Sequence, residues 1–214
     1  MPKDLPPKST VHDHLTLWAW DGTLRRLHHA LFVQARERAG KEASPSVAID
    51  HRQPERAERG KRGPRVDPSG YDAGKKVKGK ERHVLVDTLG LLLRAAVHPA
   101  SLPDRDGAVP LLRAARRLFP FVEVIFADGA YQGETTAGAV AKTGRWRLEI
   151  VRRGEAPGFV PLPKRWIVER TFAWLGRCRR RAKDFENLAV NALAFLCLGM
   201  IRLMLRRLAR ASSC

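Results

Sequence analysis

A short apolar run from Val122 to Phe126, broken only by Glu123, stops at Ala127-Asp128-Gly129. No other stretch restricts the fold as much. The run is rich in β-branched and aromatic residues and Pro120 stands before it, which predicts a buried strand. Gly129 lets the chain turn away where the strand stops. A carboxylate at the carboxyl end of a central strand in an α/β sheet lies where ligands and metals bind. The same position also suits a helix cap or a turn residue, so the other carboxylates have to decide.

The chain around this strand reads as alternating elements. Ser46 to His51 is a short strand after Pro45, and it too ends in an acid, Asp50. Gln53 to Lys80 is polar, basic and dotted with Gly and Pro, which predicts a loop. His83 to Asp87 and Leu91 to His98 predict a hairpin across Thr88-Leu89-Gly90. A helix with the stripe Val109, Leu111, Leu112, Ala115 and Leu118 leads into the Asp128 strand. A short helix over 132–142, a strand at Leu148–Val151, a helix over 164–183 and a last helix over 188–207 follow. A hairpin-containing sheet followed by βαβ units predicts a mixed α/β sheet covered by helices. Ahead of it, residues 1–44 predict two short helices broken at Asp21-Gly22-Thr23 and detached from the α/β pattern. The run from Leu188 to Leu205 is near the length of a membrane span. Asn191, Gly199 and Arg202 interrupt it, so it is expected to be a buried helix packing on the domain.

Two strand-ending acids, Asp50 and Asp128, are expected side by side. Glu169 lies beside the apolar stripe Ile167, Val168, Phe172 and Leu175 of the helix over 164–183, which seats that helix on the sheet. Such a trio is costly unless it holds a cation, and hard oxygen ligands select Mg²⁺ or Mn²⁺. The bland alternatives are a turn residue for Asp50 and a helix salt bridge for Glu169. Charge narrows the partner. Forty Lys and Arg against 22 Asp and Glu leave +18, so a polyanion is expected, nucleic acid before membrane. A carboxylate–metal cluster inside a basic surface fits metal-assisted attack on a phosphodiester. Cys178, Cys197 and Cys214 form no metal spacing, and an odd count argues for free thiols in a reducing compartment. The start of the chain has no apolar signal-peptide region, so a cytoplasmic location is expected.

Several segments together resemble the DDE transposases of bacterial insertion sequences, most nearly the IS-five-like group. They are Gly70 to Lys80, His83 to Leu91, Asp104 to Ala108, Ala127 to Gly133 and Trp166 to Leu175. The resemblance implies an RNase H-like (retroviral-integrase-like) fold with a short helical N-terminal remnant. It implies two divalent metals, Mg²⁺ or Mn²⁺, on a triad that maps to Asp50, Asp128 and Glu169. It further implies DNA as partner: cleavage at the terminal inverted repeats and joining of the freed 3′-hydroxyl to target DNA, by a homo-oligomer on DNA. The expected division is 1–44 as a remnant of an N-terminal DNA-binding region, 45–187 as the catalytic domain with a basic loop at 53–80, and 188–214 as a C-terminal helix. The sequence around Asp50, Ala48 to Gln53, departs from the family's usual wording. Near Glu169 the family's Tyr-Arg-Glu-Lys signature keeps its Arg as Arg165, while Leu162 and Gly176 stand at its Tyr and Lys positions.

Candidate phosphate contacts are Lys75, Lys76, Lys78, Lys80 and Arg82 in the basic loop, with Arg165, Arg177, Arg179, Arg180, Arg181 and Lys183 around the third acid. Trp166 and Trp174 are expected in the core, with stacking on unpaired bases as the other use. Two competing readings use the same residues: a non-catalytic basic DNA-binding remnant, and a structural RNA-binding protein.

Overall fold

The computed structural model describes residues 6–56, 70–73, 76–151, 165–178 and 186–211, with side chains for these except 54–56, 77, 104, 105, 130, 165 and 211. Two helices come first, α1 (Lys8–Trp20) and α2 (Thr23–Arg38). Strands β1 (Val47–Arg56), β2 (Gly70–Asp72), β3 (Val77–Val86) and β4 (Leu92–Pro99) follow. Then come α3 (Asp104–Leu118), β5 (Val124–Ala127), α4 (Glu134–Ala141), β6 (Arg147–Ile150), α5 (Arg165–Gly176) and α6 (Ala189–Ala211). A single 3₁₀ turn, Gly129–Tyr131, separates β5 from α4.

All six strands form one mixed sheet. β3 pairs antiparallel with β1 on one side and with β4 and β2 on the other, while β1, β5 and β6 run parallel. The five main strands therefore stand in the order β4-β3-β1-β5-β6, an antiparallel meander continued by two parallel strands. This is the RNase H-like arrangement, a mixed sheet flanked by helices.

β1 does not end at Asp50. It runs six residues further and pairs with β3 from Ile49↔Val86 to Arg56↔Gly79, so both ends of the expected loop are strand. Apolar alternation is missing here because charges line the ribbon, and the backbone ladder carries the pairing instead. The charges are buried and find partners within the fold: Arg52 pairs with Glu81, and Lys80 Nζ donates to the Glu186 carbonyl. Lys80 and Arg82, expected as phosphate contacts, are only 1% and 5% exposed. They belong to the sheet's interior and are corrected to structural roles.

The first helices are not detached either. Leu24, Leu31, Phe32 and Ala35 of α2 join the same core as Val84, Leu85 and Leu92 of the sheet and Leu196, Met200 and Met204 of α6. The Phe32 and Phe119 rings meet edge to face, centroids 5.3 Å apart. Each fully buried side chain of this size contributes about 1.5–3 kcal/mol. Arg36 reaches across to a buried ion pair with Asp87 at the end of β3. α6 is long and apolar enough to cross a membrane by length and composition. Its Ala192, Leu196, Met200 and Met204 are buried against α2, α5 and β4. Cys178 and Cys197 are free thiols, as expected, while Cys214 lies outside the described residues.

His28 of α2 is 9% exposed, and its Nε2 has no partner among the described residues. Burial holds its pKa down from 6.5 to about 4. Below pH 6.5 the unfolded chain binds a proton at His28 that the folded chain refuses. Stability is therefore complete above pH 6.5 and falls as the pH drops toward 4, by about 3 kcal/mol from this residue. Urea unfolding at pH 7 and pH 4.5 should show that fall in the wild type and a smaller one in His28→Leu. An equal fall in both proteins would refute the assignment.

Candidate active site

The carboxylates are positioned by strand register. In the parallel pair, Ile49 of β1 stands beside Phe126 of β5, so Asp50 and Asp128 follow that pair by one and two residues. Asp50 is 4% exposed and Asp128 is half-buried. Both line one small cavity with Ile49, His51, Phe126, Ala127, Val151 and Val168. Its volume of about 10 Å³ is the space of roughly one water molecule or bare ion.

The inner end of the site is a polar network that the sequence reading did not find. Asp50 and His83 share a sheet face, because His83 pairs with Arg52, two residues beyond Asp50. His83 Nε2 lies 2.8 and 3.0 Å from the two Asp50 oxygens and 2.8 Å from the Tyr131 hydroxyl. With the proton on Nε2, the imidazole donates to Asp50, and the Tyr131 hydroxyl also donates to that carboxylate. Burial first, then the neighbouring Asp50, pushes the Tyr131 pKa up, so it remains a protonated donor. Gly107 of α3 makes the packing possible. A Cβ there would come within 3.0 Å of the His98 ring and 3.2 Å of His83 Nδ1. The legible signals were a polar residue inside the apolar strand His83-Val84-Leu85-Val86 and a tyrosine three residues after Asp128.

α5 brings the third acid near but not in. Ile167, Val168 and Leu175 are buried, and Thr171 donates to the Gly90 carbonyl at 2.9 Å. Gly90 has φ 75° and sits so close that a Cβ would meet Thr171 Oγ1 at 2.5 Å. The β3–β4 turn thus seats the helix. Val168 lines the carboxylate cavity, whereas Glu169, the next residue, is exposed and does not. Among the described residues, no group of three His, Cys, Asp or Glu side chains comes together as a metal site. The fit to a divalent cation therefore rests on two carboxylates, hard oxygen donors facing one ion-sized cavity with apolar walls.

The other candidates fall in several places. Lys76, Lys78 and Arg177 are exposed. Lys75, Arg179, Arg180, Arg181 and Lys183 lie outside the described residues, as does the Arg165 side chain. Trp166 is 47% exposed rather than in the core. Residues 166, 170 and 174 recur every four positions along α5 and form one row. The Arg170 guanidinium lies 4.4 Å from the Trp166 ring centroid and 4.6 Å from that of Trp174.

The family described as the transposase DDE domain matches residues 18–204. This chain belongs to that family. It is accordingly a DDE transposase of insertion sequences, an enzyme of DNA transposition. It is 31% identical, over 155 residues, to a Burkholderia cepacia protein named as the transposase of insertion sequence element IS402; the match spans 69% of this chain and 72% of that one. Two solved structures align more distantly. A simian T-cell lymphotropic virus intasome in complex with the PP2A regulatory subunit B56 gamma is 16% identical, TM-score 0.43, over 73% of this transposase and 48% of that chain. A pre-cleavage Mos1 transpososome is 10% identical, TM-score 0.41, over 89% and 63%. This transposase spans about half the length of the intasome chain and under two thirds of the Mos1 chain.

Proposed function

We propose that this transposase cuts DNA at transposon ends and joins the freed 3′-hydroxyl to target DNA, using divalent metal held by Asp50, Asp128 and Glu169. The observation that supports it is the cavity shared by Asp50 of β1 and Asp128, the residue just past the end of the parallel strand β5. On this reading Asp50 and Asp128 are the inner ligands. Glu169, the residue after Val168 on α5, would complete the set. His83 and Tyr131 fix the Asp50 carboxylate from behind, so its orientation does not depend on bound metal. Two bound Mg²⁺ or Mn²⁺ ions supply activation of water or a 3′-hydroxyl and stabilisation of the leaving oxygen.

DNA is the partner in this reading, through the terminal inverted repeats and the target, and paired cutting of two ends calls for a homo-oligomer. The site of action is the bacterial cytoplasm, and the finer placement is the IS-five-like group. The helices α1 and α2 serve in binding the transposon ends, and α2 is packed onto the catalytic core.

The test is nicking of supercoiled plasmid by the purified chain. Nicked product is expected with 5 mM Mg²⁺ or Mn²⁺ (order-of-magnitude concentrations for hard-cation sites that retain waters, about millimolar). Product is expected to vanish with EDTA and in Asp50→Asn. Tight DNA binding without nicking under any metal would select the non-catalytic DNA-binding reading instead.

A further inference from the structure

A second pocket lies between the end of α5 and α6, lined by Trp174, Arg177, Cys178, Gly199, Arg202, Leu203, Arg206, Arg207 and Arg210, with a volume of about 190 Å³. It shares no residue with the carboxylate cavity. Five arginines face it, and no acidic side chain among the described residues lines it. Arg202 Nη1 donates to the Cys178 sulfur at 3.4 Å. Arg207 donates to the Leu89 carbonyl at 3.3 Å and lies 4.6 Å from the Trp174 ring centroid. Arg177, Arg202, Arg206 and Arg210 are exposed, and none forms an ion pair with a described carboxylate.

Like charges four residues apart on a helix repel, and Arg202, Arg206 and Arg210 repeat that spacing twice. Among the described residues no carboxylate pairs with this row, and an external anion is the partner that such a row suits. The row's geometry says which kind. Three arginines at four-residue steps form a ladder about 12 Å long. A strand of duplex DNA carries one phosphate per roughly 3.4 Å of axis, so the ladder spans about three phosphates. Arginine's planar fork suits phosphate oxygens in pairs. The apolar floor of Trp174, Leu203 and Gly199 lets the guanidinium stems pack while their heads face outward. Val168, on the wall of the carboxylate cavity, lies nine residues before Arg177, which follows the last residue of the same helix, roughly 14 Å away along its axis.

We propose that this arginine-lined pocket binds the phosphate backbone of DNA at a site separate from the carboxylate cavity, holding the duplex about one helix-half away from the cut. The proposal rests on DNA being the substrate of this transposase but not on the assignment of Asp50, Asp128 and Glu169.

The test is fluorescence-anisotropy titration of a 30-base-pair duplex (about three turns at roughly 3.4 Å per base pair) across a salt series in EDTA, where cleavage plays no part. Arg202→Gln/Arg206→Gln/Arg210→Gln should lower the slope of log K against log salt by about 2–3, since each phosphate contact contributes about 0.9. Affinity at about 0.1 M salt should fall by roughly 10²-fold. Each single variant should lower the slope by about 0.9, which keeps the question answerable if the triple variant folds poorly by circular dichroism. Arg113→Gln/Arg117→Gln/Arg145→Gln removes the same charge from exposed positions elsewhere and should change the slope by less than about 1. An unchanged slope in the α6 variants, or an equal fall in both triples, would overturn the proposal. Absence of nicking alongside these slopes would refute the catalytic reading and leave this one standing.

Discussion

Asp128→Asn lowers metal-dependent plasmid nicking by at least about 10³-fold and leaves duplex DNA affinity within about twofold of the wild type. The first half follows from the cavity. Asp128 and Asp50 are its two acidic walls, and the rest of the lining is apolar apart from His51. An amide keeps the shape and one oxygen but removes one of the two carboxylate charges that line the cavity. Transition-state stabilisation of several kcal/mol depends on that cation, and each 1.36 kcal/mol is tenfold in rate. The second half follows from distance. The exposed basic groups, Lys76, Lys78, Arg177 and the α6 ladder, do not line the cavity. The pair of measurements matters more than either alone. Lost nicking with lost binding would mean a misfolded protein, and nicking retained within tenfold would sink the metal-ligand role.

How far the chain could be read in advance varies with the physical origin of each feature. The Asp128 strand was legible because its signal is local: β-branched residues, a proline before, an acid and a glycine after. The β3–β4 hairpin was legible for the same reason, and its Gly90 has the positive φ that the turn signal implied. The β1–β3 ribbon was not, because Arg52, Lys80, Glu81 and Arg82 replace apolar residues at buried positions. Their burial is compensated by partners distant in sequence, such as Glu81 for Arg52 and the Glu186 carbonyl for Lys80. Composition registers those charges as solvated, and only tertiary structure shows otherwise. The site followed the same rule. Asp50 and Asp128 were readable as strand acids, while the His83–Asp50–Tyr131 contacts depend on cross-strand register and on the close approach of α3 at Gly107. Trp166 was misread because hydrophobicity alone assigns a tryptophan to the core. Its face is covered instead by Arg170, four residues along the same helix.

Breaking the Arg36–Asp87 pair from either side should cost about 3–5 kcal/mol of folding stability, the largest single-residue effect expected in this fold. Both side chains are buried, at 6% and 0% exposure. Arg36 also donates to the Glu42 carbonyl at 2.7 Å. Asp87 accepts from the Leu89 and Leu91 amides at 2.9 and 2.8 Å. Burial raises the Asp87 pKa more than these amides and Arg36 lower it. Arg36→Met therefore removes the counter-charge that opposes protonation, and the Asp87 pKa rises further. Asp87→Asn leaves Arg36 charged and uncompensated in the core, the costlier of the two outcomes. Urea unfolding of both single variants and of Arg36→Met/Asp87→Asn measures the coupling, and the double variant should lose clearly less than the sum of the singles. Losses under about 1 kcal/mol in both singles would show that α2 is not locked to the sheet by this pair. The consequence reaches the active site, because Asp87 shapes the turn whose Gly90 carbonyl seats Thr171 of α5. A loosened α2 should therefore also loosen the helix that carries Glu169, and Arg36→Met should lower nicking while leaving DNA affinity unchanged.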